Sequence, residues 1–290
     1  TSETSLPMIP LAFFRSFLQK GHAMTESANP YQPPEVDIQP PETGGQPGQL
    51  LDPPRSVSAG RGASWIGEGW TLFSGAMATW IGMSLVAGLI FFALNLVPLV
   101  GIVAAFLTPF IMAGWAIGCE RMRTEGEVRF EDLFGGFGEN FAPLAIASLI
   151  YFAANMVAML IATGITFVLV GGVFALGMGG ASDNMIEGGV LAGTLLGALI
   201  FVAITLPVIM LIWFAPTLIV LHKVAPVEAM KRSFFGCLKN ILPFLIFSLV
   251  AFALLIGGLL ALVIGLLFVS PWLGCSNYAA YRDIYIGEQA

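Results

Sequence analysis

The sequence predicts an all-helical integral membrane protein with six transmembrane helices, built as three repeated units of an interfacial helix followed by a hairpin. Hydrophobic residues make up 57% of the chain, charged residues only 10%, and the mean hydropathy is +0.86. Soluble proteins carry about 25% charged residues. All twelve Lys and Arg residues lie outside four long apolar blocks. Because the bilayer core disfavours charged side chains, we expect the blocks to span the membrane.

The first 63 residues are expected to lie outside the transmembrane domain. The chain starts without a methionine, and Met24 opens a conventional polar start, so residues 1–23 are interpreted as an upstream extension. Residues 24–63 are rich in Pro, Gly, Gln, Glu and Ser and bury too little apolar area to offset the entropy of ordering them. They predict a disordered cytoplasmic tail, with a polyproline docking peptide as the alternative. Residues 64–286 form the predicted helical transmembrane domain.

The four apolar blocks cover residues 76–118, 141–180, 188–221 and 241–275. A helix crosses the hydrocarbon core with about 20 residues. The first block is about twice that length and is interrupted by Asn95 and Pro98, which predicts a hairpin of two spans. The fourth block has Gly257 and Gly258 at its middle and also predicts a hairpin.

Positive charge indicates how the spans are oriented. A single helix in the fourth block would place Lys239 and Arg282 on opposite sides of the membrane, against the positive-inside bias. The second and third blocks are each long enough for one oversized helix or two short ones, and we prefer one span each. The linker 181–187 carries Asp183 and Glu187 and no cation, which is typical of an outside loop. Six spans with both termini in the cytoplasm follow; eight spans, with this linker inside, remain the alternative.

An internal repeat supports the three units. Four residues recur 100 positions later: Phe134, Gly136, Asn140 and Pro143 correspond to Phe234, Gly236, Asn240 and Pro243. A weaker third copy is Trp70-Thr71-Leu72-Phe73. The second helix of each predicted hairpin also has an aromatic residue three positions before a proline, at Pro109, Pro216 and Pro271.

Each unit is expected to begin with a helix in the headgroup plane. Around residue 230, apolar and charged side chains separate onto opposite helix faces, as interfacial helices require. The predicted lipid or interface residues are Trp65, Trp70, Arg129, Phe134, Asn140, Lys231, Arg232, Phe234, Lys239, Asn240 and Arg282. The alternative is that these aromatic and charged belts only anchor the bundle.

The core carries few groups suited to catalysis. It has a single histidine, His222, and neither a C-x-x-C, a G-x-S-x-G nor a phosphate-binding loop, so no catalytic, cofactor or metal residues are predicted. The deep polar residues Asn155 and Thr205, with Pro109, Pro216 and Pro271, are candidates for lining a cavity. The small residues Gly189, Gly193 and Gly197 predict a close helix contact, within the chain or across a dimer.

Several short runs resemble an uncharacterised family of proteobacterial inner-membrane proteins. They are Gly69-Trp70-Thr71-Leu72-Phe73, Gly118-Cys119, Phe130-Glu131-Asp132-Leu133-Phe134-Gly135-Gly136-Phe137, Phe214-Ala215-Pro216, Pro226-Val227-Glu228-Ala229-Met230-Lys231-Arg232-Ser233 and Tyr281-Arg282-Asp283-Ile284-Tyr285. The layout is similar to that of YciC-like proteins and of the membrane domain attached to some glycerophosphodiester phosphodiesterases. The resemblance covers residues 65–286 and implies a helical membrane domain without a known catalytic set.

The leading hypothesis from sequence is a non-enzymatic, multi-pass protein of the bacterial inner membrane with a lipid-associated or scaffolding role. Its expected partners are membrane lipids and a second protein or a second copy of the chain, and not nucleic acid; no cofactor is expected. The alternative is a transporter or channel for a small uncharged or amphipathic solute. A membrane enzyme would require a convergent polar cluster or a metal at His222.

Overall fold

The computed structural model describes residues 48–96, 101–180, 182–261 and 264–287, so the predicted extension 1–23 and most of the predicted tail lie outside the described residues. The described part contains nine α-helices and one 3-10 helix. The α-helices are α1 (Arg61–Gly75), α2 (Met77–Asn95), α3 (Gly101–Glu125), α4 (Phe141–Met178), α5 (Asp183–Ile212), α6 (Ala215–His222), α7 (Pro226–Lys239), α8 (Ile241–Leu260) and α9 (Ile264–Tyr285). The 3-10 helix, Phe130–Phe137, lies between α3 and α4.

Five helical segments in the described part are long and apolar enough to cross a membrane. They are Met77–Asn95, Val103–Glu125, Phe141–Ala175, Asp183–His222 and Ile241–Leu260. This confirms the prediction of a helical membrane protein. The sixth predicted span, α9, is not among the five, since its second half carries polar residues such as Asn277 and Arg282.

The second and third apolar blocks each form one long helical segment. Helix α4 runs for 38 residues without a break, which corresponds to about 57 Å at 1.5 Å per residue and exceeds the about 30 Å hydrocarbon core. Helix α5 continues for 30 residues and stops at Ile212. The fourth block turns after Leu260 and not at Gly257 and Gly258, which lie inside α8.

The helix is interrupted at Trp213 and Phe214, between α5 and α6. A side chain from α7 bridges the helical hydrogen bond that is missing between the Phe214 N–H and the Met210 carbonyl. Pro216 is in the first turn of α6, where its missing N–H removes no helical bond. The buried hydroxyl of Ser233 accepts a hydrogen bond from the Phe214 N–H (2.9 Å) and donates one to the Met210 carbonyl (2.7 Å). Helix α7 is thereby fixed to the break. Pro109 and Pro271, in contrast, lie within continuous helices.

The glycine stripe of α5 faces α4. A Cβ added at Gly189 would lie 2.7 Å from Val173, and one at Gly197 would lie 2.5 Å from Thr166. Gly193 is buried against the same helix. The contact positions run in opposite directions along the two helices, so α4 and α5 form an antiparallel hairpin. Small residues at this spacing let the backbones approach closely, and here the contact lies within the chain.

Residues 48–60 are ordered, although the predicted disordered tail extends through 63. The Leu51 N–H donates to the Tyr285 carbonyl (2.7 Å), the Arg55 N–H donates to the Ile284 carbonyl (3.0 Å), and Leu50 forms an antiparallel bridge with Ile286. Composition alone suggested disorder. The end of α9 supplies backbone acceptors and an apolar surface that satisfy this segment, which we call the N-terminal strap (residues 48–60).

The charged residues gather at one end of the bundle. The strap, the end of α3, the 3-10 helix, α7 and the end of α9 meet there, joined by ion pairs such as Arg232 with Asp52 (2.6 Å) and Arg121 with Asp132 (3.0 Å). The ten Lys and Arg residues of the described part belong to these segments, to the α6–α7 connection, to the start of α1 (Arg61) or to the residue before the 3-10 helix (Arg129). We call this the charged end.

Helix α1 differs from the predicted interfacial helix. Its aromatic face is turned into the bundle, where Trp65 and Phe73 are fully buried and Ile66 nearly so, while Trp70 stays 44% exposed. Helix α1 packs antiparallel to α9. The two backbones approach closely because α1 has a glycine at the contact: a Cβ at Gly69 would lie 2.5 Å from the Cα of Ser276.

Substitution of Gly69 tests this packing. We expect Gly69→Ala to destabilise the protein by about 1–3 kcal/mol, because the added methyl group meets the α9 backbone, which has no room to move aside. The matched control is Gly67→Ala on the same helix, where a Cβ meets no atom within 4 Å and where alanine favours the helix by up to about 1 kcal/mol. Thermal unfolding in detergent measures both. Equal midpoints for the two variants would contradict the packing.

Candidate functional site

A central cavity of about 650 Å³ lies between α2, α3, α8 and α9, next to the break before α6. Its apolar side chains include Phe91, Phe252 and Leu255. Its polar side chains include Ser84 on α2 and Asn277 on α9. No charged side chain lines it within the described part of the chain. An apolar cavity with a few polar groups is the usual form of a small-molecule site.

Four of the side chains that line the central cavity have a buried polar atom without a hydrogen-bond partner among the described residues. The atoms are Ser84 Oγ, Trp115 Nε1, Trp213 Nε1 and Asn277 Oδ1. Most buried polar groups in proteins are paired, and an unpaired one disfavours the fold by about 1–3 kcal/mol. Three of these atoms can donate and one accepts, but all four are shielded from solvent and so are not exposed to the open space of the cavity.

Polar and apolar parts of the wall are separated along the bundle axis. On α2, Ser84 lies closer to the charged end than Phe91 does, by about 10 Å of helix rise. On α9, Asn277 and Tyr278 lie closer to that end than Leu273 does, although Ser270 adds one hydroxyl at the far end. Phe252, on the wall of α8, is 63% exposed. The cavity is thus mostly apolar away from the charged end, more polar toward it, and partly open.

A second pocket, of about 310 Å³, lies at the charged end and is lined by four arginines: Arg55, Arg61, Arg123 and Arg282. Two carboxylates, Glu68 and Asp283, also line it. We call it the basic pocket. Tyr278 lines both the basic pocket and the central cavity, so this one side chain borders the two spaces.

Asp283 holds three elements together at this pocket. Its carboxylate accepts hydrogen bonds from Arg55 of the strap (2.7 Å) and from Arg61 (2.5 Å) and the Trp65 indole (2.9 Å) of α1. Its side chain is only 9% exposed. Burial alone would raise the pKa of Asp283, but the hydrogen bonds from Arg61 and Trp65 and the positive charge of Arg61 outweigh it, so the pKa lies below its ordinary value.

A polar cluster also surrounds His222. Its Nε2 is hydrogen-bonded to the Tyr281 hydroxyl, and nearby the carboxylate of Glu120 accepts from the Tyr278 hydroxyl and from Arg123 (2.5 Å). His222 lines neither the central cavity nor the basic pocket. The described residues contain no group of three or more His, Cys, Asp or Glu side chains placed to hold a metal ion. The hydrogen bonds of His222 with Tyr281 and of Glu120 with Tyr278 link α3 and α6 to α9.

The predicted interface residues before α4 and on α7 are partly exposed. Phe134 is 41% exposed, and Arg129 pairs with Glu127 (2.6 Å). Asn140 accepts a hydrogen bond from Lys223 (2.9 Å), which links the start of α4 to the end of α6. Lys231 is exposed. Phe234 is only partly exposed.

Asn240 is placed differently from its predicted interface position. It is fully buried, and its side chain amide donates to the Arg55 carbonyl (3.0 Å) and the Gly236 carbonyl (2.8 Å). Its carbonyl oxygen accepts from the Val57 N–H (2.8 Å), and Lys239 donates to the Pro54 carbonyl (3.2 Å). Asn240 therefore holds the strap to the start of α8.

The cavity candidates from sequence lie elsewhere. Asn155 is half-buried, with its amide 3.5 Å from the Tyr151 hydroxyl, and Thr205 is half-buried on α5. Pro109, Pro216 and Pro271 are buried. None of these five residues lines the central cavity or the basic pocket.

Sequence reasoning missed the side chains that do line the central cavity. Ser84, Trp115, Trp213 and Asn277 are separated by up to 193 positions along the chain, and only the packing of four helices brings them together. Their signal in the sequence was weak, since each is a single polar or indole-bearing residue in or next to a largely apolar stretch.

Comparison with known proteins supports an inner-membrane location. The chain is 28% identical over 253 residues to a protein of Burkholderia thailandensis named as a probable inner membrane protein, and the match covers 79% of this chain and 92% of that protein. No family model and no solved structure matches the chain. The apolar helices indicate a helical membrane protein, and the sequence is similar to that of a probable bacterial inner-membrane protein. The resemblance to YciC-like proteins and to the phosphodiesterase membrane domain stays a prediction.

The pKa of Asp283 gives a pH prediction. Because the folded-state pKa lies below the unfolded value of about 3.9, the stabilisation is complete well above pH 4 and is lost as the pH falls through the folded-state pKa. We expect Asp283→Asn to lower the free energy of unfolding by about 1–3 kcal/mol at pH 7. The difference from wild type should shrink between about pH 5 and pH 3.

Unfolding midpoints of the two proteins across this pH range measure the effect. The control is Asp183→Asn, which changes an exposed carboxylate at the start of α5. A difference between wild type and Asp283→Asn that stays constant from pH 7 to pH 3 would refute the assignment.

Proposed function

We propose that the protein is a non-enzymatic, multi-pass protein of the bacterial inner membrane that binds an amphipathic lipid in its central cavity. The observation that carries this proposal is the cavity itself, which is mostly apolar toward the middle of the bundle, more polar toward the charged end and partly open. A lipid has the same order of groups: acyl chains belong at the middle of the bilayer and polar groups near the headgroup region.

The proposed topology has six spans, with the charged end in the cytoplasm. Helix α9 is the sixth span, because it packs along α8 and returns the chain to the charged end, where the strap binds its last turn. Cationic residues favour the cytoplasmic side. The α4–α5 connection, with Asp183 and Glu187, then faces outside. Three hairpins, each preceded by a short helix, correspond to the three sequence units.

The proposed role requires no chemistry from the chain. The groups available in the central cavity are hydroxyl, indole and amide groups, which bind and orient a ligand and are poor acids and bases near neutral pH. Lipid association, alone or as the membrane partner of another envelope protein, matches this set of groups.

A transporter for a small amphipathic solute is the second candidate function. The observation that favours it is Tyr278, which borders both the central cavity and the basic pocket, so that movement of one side chain would join them. Under the leading proposal the protein retains its lipid and gives no flux of such a solute in proteoliposomes. Measurable flux that Tyr278→Trp abolishes would favour the transporter instead.

Filling the central cavity tests lipid binding. Ala251 on α8 is buried at the cavity wall, and Ala253, two residues later, is exposed on the outside of the same helix. We expect Ala251→Phe to reduce lipid retained on the purified protein by about tenfold or more, because its ring occupies the space of the ligand, and Ala253→Phe to leave it unchanged. A tenfold change corresponds to about 1.4 kcal/mol.

Native mass spectrometry of protein extracted from the inner membrane in mild detergent measures the bound lipid. The helical content and unfolding midpoint of each variant, measured in parallel, show whether it is folded. Absence of retained lipid on the wild-type protein, or equal retention in both variants, would refute the proposal.

A further inference from the structure

A third space, of about 220 Å³, lies between α5, α7 and α8, beside the central cavity. Its lining includes Leu206 of α5 and Ile241 and Leu245 of α8, and these three side chains are each 54% or 55% exposed. No charged side chain lines it within the described part of the chain. It is therefore an apolar groove on the outside of the bundle, which we call the side groove.

In a bilayer the side groove faces acyl chains. Helices α5 and α8 belong to segments that are long and apolar enough to cross a membrane, so the exposed side chains of Leu206 and Leu245 contact hydrocarbon. On α8 the groove extends from Ile241, the first residue of the helix, to Ser248, which is about 10 Å of helix rise. It begins beside the charged end and stays within the nearer half of the about 30 Å hydrocarbon core. One acyl chain of a lipid in that leaflet is the occupant that matches this position.

The side groove and the central cavity have two lining residues in common, Trp213 and Ser248. The two spaces are therefore neighbours, separated in part by these side chains. Ser248 is small and exposed. Of the two, only the indole of Trp213 is large enough to block passage from one space to the other.

No hydrogen bond with a described residue fixes the Trp213 indole. Its N–H is buried and unpaired within the described part of the chain, and its ring meets that of Phe244 edge-on, with the centroids 6.3 Å apart. The indoles of Trp65 and Trp272, in contrast, donate hydrogen bonds of 2.9 and 2.8 Å. Trp213 also lies at the interruption between α5 and α6. Its ring can thus rotate without breaking such a bond, as a gate residue must.

We propose that the side groove is where an acyl chain of a membrane lipid enters and leaves the central cavity, with Trp213 as the gate. This rests on the proposed function, since it requires lipid in the cavity. Acyl chains are as apolar as leucine, so the groove gains no hydrophobic free energy by holding one; it serves passage and not storage. Because the groove begins at headgroup level, a lipid moves sideways through it without changing its depth in the bilayer.

The rate of lipid exchange tests the side groove, and the amount of lipid retained tests the central cavity. The full chain with its retained lipid, in mild detergent, is mixed with phosphatidylethanolamine and phosphatidylglycerol that carry perdeuterated acyl chains. Native mass spectrometry then follows replacement of the retained lipid by the heavier one.

Filling the side groove should slow this exchange. We expect Leu245→Trp to exchange about tenfold more slowly than wild type, or slower still, and to retain the same amount of lipid at equilibrium. The matched control is Leu249→Trp, one turn further along α8, where the leucine is 62% exposed and lines neither the groove nor the cavity. It should exchange at the wild-type rate. Equal slowing in both variants would contradict the proposal.

Removing the gate should have the opposite effect. We expect Trp213→Ala to exchange about tenfold faster than wild type, and an unchanged rate in the folded variant would remove Trp213 as the gate. If this variant fails to fold, Leu245→Trp decides alone.

The two measurements separate failure of the entry route from failure of the proposed function. Lipid that is retained but exchanges equally fast in wild type and Leu245→Trp would place entry elsewhere, such as the open side at Phe252. That result overturns the entry route and keeps the lipid in the cavity. Absence of retained lipid on the wild-type protein overturns both.

Discussion

The charged end of the molecule depends on the hydrogen bonds and ion pairs of the Asp283 carboxylate. It joins the last turn of α9 to the start of α1 and to the strap, three segments that are far apart in the sequence. A nearly buried carboxylate is unfavourable unless it is paired and hydrogen-bonded. Two guanidinium groups and an indole N–H meet that requirement, and the pairing in turn fixes where α1 enters the bundle.

The position of α1 shapes the basic pocket. Because α1 packs along α9 through Gly69, its arginine and threonine side chains reach the basic pocket, and its buried aromatic face closes one side of the bundle. The central cavity lies on the other side of Tyr278, between α2, α3 and α8. A charged pocket and an apolar cavity therefore share one wall at Tyr278.

Buried polar groups give the rest of the structure its specificity. Ser233 bridges the helical hydrogen bond lost between Phe214 and Met210, and Asn240 satisfies the backbone of the strap with both ends of its amide. Hydrophobic packing alone would allow these segments to slide, since it has no direction. Hydrogen bonds of defined geometry fix their register. The Glu120 and Tyr278 pair plays the same part between α3 and α9.

The sequence by itself determined the class of the protein and the positions of most helices. Apolar blocks of 34 to 43 residues favour the membrane whatever they pack against, and α2, α3, α4, α5 and α8 lie where the blocks predicted. Tertiary structure alone decided which residues meet. Composition predicted disorder through residue 63, but the hydrogen-bond acceptors that order the strap lie over 180 positions away. Likewise, the sequence of α1 has the same amphipathic pattern whether its aromatic face contacts lipid or protein. Periodicity reports that a helix has two faces, and only the partner helix determines which one is buried.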